Sequence, residues 1–297
     1  MLYSPLSAAD SARELSRRLC LAGYLRYRQT SSPTRHQGSA FAGGVAQITT
    51  TESTVSLTFL ALVAAMLGVA MLMELLPAYG RYLVFPFVLT GWLISLCLHE
   101  FGHAFVAYRS GDSSVLANGY LTLDPLRYTD PQFSILWPLV YLAIGGIGLP
   151  GGAVYLNMHA IRRPADRSLV SAAGPLMTFG VLILLIIILQ SVGGSVSRPF
   201  YAGLAFLALL ELTALVLNLL PVPGLDGWGI IEPWLSADLQ EFGQRAAPIA
   251  PMLLFATFLL VPGVNGMFWN LVYDIARMIS LDMAGAGWGS QLFQFWR

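Results

Sequence analysis

The sequence predicts an all-α polytopic membrane protein, and three observations carry that prediction. Of its 297 residues 56% are hydrophobic and 11% charged, where a soluble domain has roughly 25% charged. The apolar residues gather into runs at roughly 57–77, 82–108, 133–157, 168–192, 200–220 and an interrupted stretch at 249–280. A helix that crosses a bilayer needs about 20 predominantly apolar residues. The third observation is the string His99-Glu100-Phe101-Gly102-His103 inside the second run. Ionisable groups are costly at that depth, and they mark function by default.

The chain opens with a polar segment, 1–55. Ser7 to Gln29 reads as a basic amphipathic helix, with Leu15, Leu19, Ala22 and Leu25 on one stripe and arginines around it, or equally as a solvated tail. Thr30 to Thr54 has the Ser/Thr/Gly/Gln composition of a linker. No small-residue cleavage site follows the first apolar run, so that run is expected to stay attached as a span. All 16 basic residues are arginine and the formal net charge is zero, which offers no basic surface for nucleic acid. Six arginines precede the first run, and the positive-inside rule then puts the N-terminus in the cytoplasm. Cys20 and Cys97 do not make a disulfide framework. Cys97 is two residues from His99, on another face of the helix, and is expected to pack as a small apolar residue.

On a helix His99 and His103 stand at i and i+4, about 5–6 Å apart at Cβ, a spacing at which two imidazoles can close on one zinc. Glu100 points away from the pair yet stays near enough to take a proton from a water that the metal activates. A dication in low dielectric calls for an anionic third ligand, which must come from elsewhere in the chain. Four acids lie in or beside apolar runs: Glu74, Glu211, Asp226 and Asp274. Glu74 sits at the end of the first span, within reach of the interface, and Asp274 has Arg277 one turn on. Asp226 follows a span directly, in Asn218-Leu-Leu-Pro-Val-Pro-Gly-Leu-Asp226-Gly227. Two prolines and two glycines forbid continuous helix there, and irregular backbone at membrane depth is tolerated only where protein buries it or a wet cavity meets it. By itself Leu-Asp-Gly reads equally as an interfacial turn that ends a helix.

Together the two motifs resemble the site-2 protease family of intramembrane zinc metalloproteases, in the compact bacterial form without a PDZ domain. Its members carry His-Glu-x-x-His on one transmembrane helix and Asn-x-x-Pro…Asp-Gly on a later one, matched here by His99–His103 and Asn218–Gly227. The loop Asn118–Pro131 and the tripeptide Ala173-Gly174-Pro175 are similar to a loop and to a helix start of the same family. The resemblance covers about 57–280. It implies one zinc (Zn2+) per chain held by His99, His103 and Asp226, Glu100 as the group that activates water, and Asn218 as a donor to the substrate carbonyl. It further implies a site-2-protease-like transmembrane core at 56–282, between a cytoplasmic N-terminal segment 1–55 and a C-terminal tail 283–297. The substrate would be a transmembrane helix of another membrane protein, cut in a prokaryotic cell membrane. Two departures stand out. Gly224 replaces the proline of many relatives, which is expected to loosen the turn. Glu211, seven residues before Asn218 and on the same face, stands where compact relatives often have an amide, and reads as a protonated carboxyl or as a second acid near the zinc.

Val115 to Leu123 alternates imperfectly between apolar and polar, and reads either as a short edge strand to which an extended substrate adds or as a solvated loop. Parity constrains the topology. For the histidines and Asp226 to meet, an even number of crossings must separate them, yet three apolar runs intervene. The run 133–157 is broken by Pro138, Gly145, Gly146, Gly148, Pro150, Gly151 and Gly152, so it is expected to re-enter or lie on the membrane surface. Arg162, Arg163 and Arg167 then stay cytoplasmic. Two other readings were weighed. A non-proteolytic transporter or scaffold with a structural or incidental metal would usually want four protein ligands. A membrane-tethered enzyme with a soluble catalytic domain would carry Glu-x-x-x-Asp on a later helix, and no such string occurs.

Overall fold

The computed structural model describes residues 55–128 and 155–296, which fall in one compact unit, Thr51–Arg297. The expected N-terminal helix and linker, and the broken run at 133–157 up to residue 154, lie outside the described residues. Among the described residues nine helices of six residues or more order the rest: α1 Leu57–Leu75, α2 Gly80–Arg109, α3 Pro164–Val192, α4 Arg198–Asn218, α5 Asp226–Ile231, α6 Ala237–Ala246, α7 Ala250–Leu260, α8 Pro262–Met278 and α9 Met283–Phe293. The first four are long and apolar enough to span a bilayer, as the runs predict. The interrupted stretch at 249–280 becomes α7 and α8, bent by 93° at a break that Pro262 begins to close. A proline has no N–H to continue a preceding helix and is well suited to the first position of a new one.

Local chemistry sets the ends. Ser56 caps α1 by accepting the Phe59 N–H at 3.1 Å, and Ser197 caps α4 by accepting that of Phe200, each satisfying an orphan donor of a first turn. Glu74, expected near the interface, takes the Ser197 N–H on both oxygens at 3.0 Å and so ties the end of α1 to the start of α4. Asp274 and Arg277 pair one turn apart on α8.

Helix α4 is the axis of the molecule. It is buried from Ala202 to Asn218 apart from half-buried Leu215, and α2, α3 and α9 pack around it. Their shared core includes Phe87, Leu182, Leu207, Leu212 and Phe293. A second, smaller core joins Cys97, Ala104, Ala107, Val115 and Ile161 on the far side of α2, where Cys97 serves as the expected apolar filler. The 283–297 stretch, expected as a tail, departs from that expectation: Ala286, Gly289 and Phe293 are buried as α9 seats itself on α4 and α2. Its small residues allow close approach, and helices in lipid associate through such packing.

Two findings bear on the segment between α2 and α3. The edge strand is not formed: Ser114–Ala117 is a single helical turn, and no strand occurs among the described residues. Asp112 decides this by accepting from both the N–H and the hydroxyl of Ser114 on Oδ1, a local bond that competes with extended pairing. Its Oδ2 accepts the Asn157 N–H at 2.7 Å. The backbone at Asn157 thus lies against Asp112, 45 residues earlier in the chain.

Candidate metal centre

The site forms where α2, α3 and the start of α5 meet. His99 and His103 lie in the C-terminal half of α2, and α3 packs beside them: His103 Nδ1 is 2.7 Å from the Val170 carbonyl and His99 Nδ1 is 2.9 Å from Thr178 Oγ1. A carbonyl can only accept, so His103 carries its proton on Nδ1 and presents a lone pair at Nε2. Outer partners of this kind orient a metal-binding imidazole and fix its tautomer.

Asp226 arrives from the end of α4. After Asn218 the chain makes short turns, Leu220 N–H to Leu217 carbonyl at 3.1 Å and Leu225 N–H to Val222 carbonyl at 2.9 Å, and starts α5 at Asp226. Gly227 makes this return possible, because a Cβ there would stand 2.3 Å from the Leu219 carbonyl oxygen. Gly224 does not loosen the turn as expected. Its φ of +91° is a conformation glycine adopts freely and proline cannot, and it packs against the Ala247 carbonyl.

The three candidate ligands converge. The Nε2 atoms of His99 and His103 are 3.1 Å apart, and Asp226 approaches them with Oδ2 at 3.2 Å and Oδ1 at 3.3 Å. Ligands on a tetrahedral ion with bonds of 2.0–2.1 Å stand about 3.3 Å from one another, a spacing the two Nε2 atoms approach, and one ligand atom from each of the three residues lies within 4.8 Å of the others, three protein ligands where a closed structural site has four. Acceptors crowded on one point repel unless a cation lies between them. Space for it comes from Gly174 of α3, where a Cβ would lie 2.2 Å from His103 Nε2 and 2.6 Å from His99 Nε2. The residues present therefore fit a zinc ion.

Around this point lies a cavity of about 440 Å³, which Glu100, Asn218, Glu211, Ser95 and Thr178 help to line. Glu100 and Asn218 are both buried. Glu211 does not join the metal-facing group; Ser95 donates to its Oε2 at 2.6 Å. The tripeptide Ala173-Gly174-Pro175 is not a helix start, since α3 begins at Pro164, and it serves instead as the small-residue face that lets α3 close on the histidines. Gly102, the fourth residue of His-Glu-Phe-Gly-His, meets it from α2: a Cβ there would be 2.7 Å from the Ala173 carbonyl. The sequence reading missed Thr178, Ser95 and the contribution of Pro251 and Phe255 from α7. Ser95 and Thr178 each lie four residues from a residue at the site, His99 and Gly174, and that spacing was the available signal.

Comparison with known proteins agrees with this geometry. The chain is 46% identical over 213 residues to the proposed zinc metalloprotease Rip2 of Mycobacterium tuberculosis, covering 72% of this chain and 82% of that one. It is 44% identical over 215 residues to the protein of the same name from Mycolicibacterium smegmatis, with the same coverage. With YwhC of Bacillus subtilis, also named a zinc metalloprotease, it shares 30% identity over 209 residues, 65% of this chain and 90% of the relative. No protein-family model and no solved structure matches. With its His-Glu-x-x-His helix, its Asn-to-Asp-Gly return and relatives of this similarity and extent, the chain belongs to the site-2 protease family.

Proposed function

We propose that the protein is an intramembrane zinc metalloendopeptidase that hydrolyses peptide bonds in or near the transmembrane segments of other membrane proteins. The observation that supports this most is the convergence of His99, His103 and Asp226 as three candidate ligands, one fewer than a closed structural site has, inside a cavity among membrane-spanning helices. When bound, zinc supplies Lewis acidity that lowers the pKa of a water and polarises a carbonyl. His99, His103 and Asp226 hold the ion, while the Val170 carbonyl and the Thr178 hydroxyl keep the imidazoles turned towards it. Glu100 takes the proton of the attacking water and passes it to the departing amine, the general acid and base of the reaction. Asn218 donates to the carbonyl oxygen as charge develops there. A substrate helix hides its peptide bonds in its own hydrogen bonds, so a short segment unwinds to enter the cavity.

Zinc content and cleavage of a single-span model substrate in detergent test this reading. Glu100→Gln keeps zinc and fold and loses essentially all cleavage, whereas His99→Ala, His103→Ala and Asp226→Asn lose zinc too. Full cleavage by Glu100→Gln removes the proposal. Asn218→Ala keeps zinc and loses about 10²–10³ in turnover. The orientation, with the N-terminus and the 158–167 loop in the cytoplasm of a bacterial cell, is tested by single cysteines at Arg163 and Arg198 and an impermeant thiol reagent. Only position 198 should label from outside.

A further inference from the structure

The deepest polar group of the cavity is not used by this mechanism. Glu211 is 1% exposed. One of its oxygens accepts the Ser95 hydroxyl, and the other, Oε1, has no hydrogen-bond partner. A buried polar atom without a partner is costly, and an apolar side chain of the same shape would avoid the cost. Ser95 lies one turn before His99 on α2, and Glu211 lies two turns before Asn218 on α4, about 10 Å along the helix axis. The pair thus forms a polar step in the cavity wall, outside the group of candidate ligands.

An unwound substrate brings its own unpaired groups to this depth. Its amides lose their helical partners and find no water in hydrocarbon. Extended chain advances about 3.3 Å per residue, so the interval between Asn218 and Glu211 is spanned by about three residues. Resting on the protease reading above, we propose that Glu211 Oε1, steadied by Ser95, is a substrate subsite that hydrogen-bonds an unpaired amide group about three residues from the scissile bond. The amide belongs to the substrate main chain or to an Asn or Gln side chain. A bond that far from the reacting atoms forms equally in the ground and transition states, and its loss appears in KM rather than kcat.

The test measures cleavage kinetics, zinc content and thermal unfolding of the full-length zinc-loaded protein, using a single-span model substrate in detergent. Glu211→Met should raise KM about tenfold with kcat and zinc unchanged and with stability equal or increased. Glu211→Gln, which retains an acceptor oxygen, should restore KM to within about threefold of wild type. If Glu211→Met does not accumulate, Glu211→Leu takes its place. Replacing substrate Asn and Gln residues by Ala separates the sources: a main-chain partner leaves the Glu211→Met effect intact, and a side-chain partner abolishes it at one position. A Glu211→Met enzyme with wild-type KM overturns the subsite alone, as does one that loses zinc or stability in step with activity. Absence of any Glu100-dependent cleavage by the wild type overturns the protease reading, and the subsite with it.

Discussion

Helices α1 and α4 are equally apolar by mean hydropathy and of similar length, yet the apolar window of α1 is 6% buried and that of α4 is 83% buried. Met73 is the one buried residue of α1, whereas α4 is surrounded by α2, α3 and α9. Apolarity therefore places a helix in the membrane without saying whether lipid or protein will surround it. The difference lies in the minority residues. Helix α4 carries Glu211, Thr213 and Asn218 on its buried length, whereas its four alanines and one glycine are matched in number by those of α1, so the polar residues and not the small ones set the two apart. Helix α1 carries one acid, Glu74, at its end. Lipid tails are as apolar as leucine, so α1 gains little by leaving them.

The contrast can be broken or sharpened by substitution. The largest effect is expected where the packed helices approach the metal position: Gly174→Ala puts a methyl among the histidine nitrogens and should lower bound zinc and reduce cleavage by about 100-fold or more. Retention of full zinc in that variant would show that α3 can back away. Next, Leu212→Ala in α4 should cost about 2–5 kcal/mol, while Leu67→Ala on the exposed face of α1 should cost under about 1 kcal/mol. Denaturant titration in mixed micelles reads both, and equal losses would dissolve the distinction between the helices. Thr178→Val should weaken zinc about tenfold by freeing the His99 ring, measured by competition with a chelator. Smallest of all, Gly68→Ala in α1 meets nothing within 4 Å and should be neutral or stabilising by up to about 1 kcal/mol in the same titration.

Much of the site could be read from the chain because its signals are local. Two imidazoles four residues apart on a helix share a face whatever surrounds them, and Glu100 is placed with them. The proline- and glycine-rich return before Asp226 marks a carboxylate at a place where the backbone had to leave the helix. The runs at 57–77, 82–108, 168–192 and 200–220 became spans because hydrocarbon demands internally bonded backbone. Misreadings clustered where one segment is shaped by another. The Val115–Leu123 alternation gave way to a turn because Asp112 captures Ser114, and 283–297 became a packed helix because α4 offered it a face.

By itself the sequence determined the membrane class, the four long spans and the histidine pair with its glutamate, since composition and spacing along one helix suffice for these. Only the tertiary structure decided how they meet. Gly174 opening space beside two histidines some 70 residues away, Gly224 holding a φ that proline cannot, and Ser95 engaging Glu211 across 116 residues depend on helix approach. Such approach is set by the packing of residues remote in sequence, and no periodicity along a single helix encodes it.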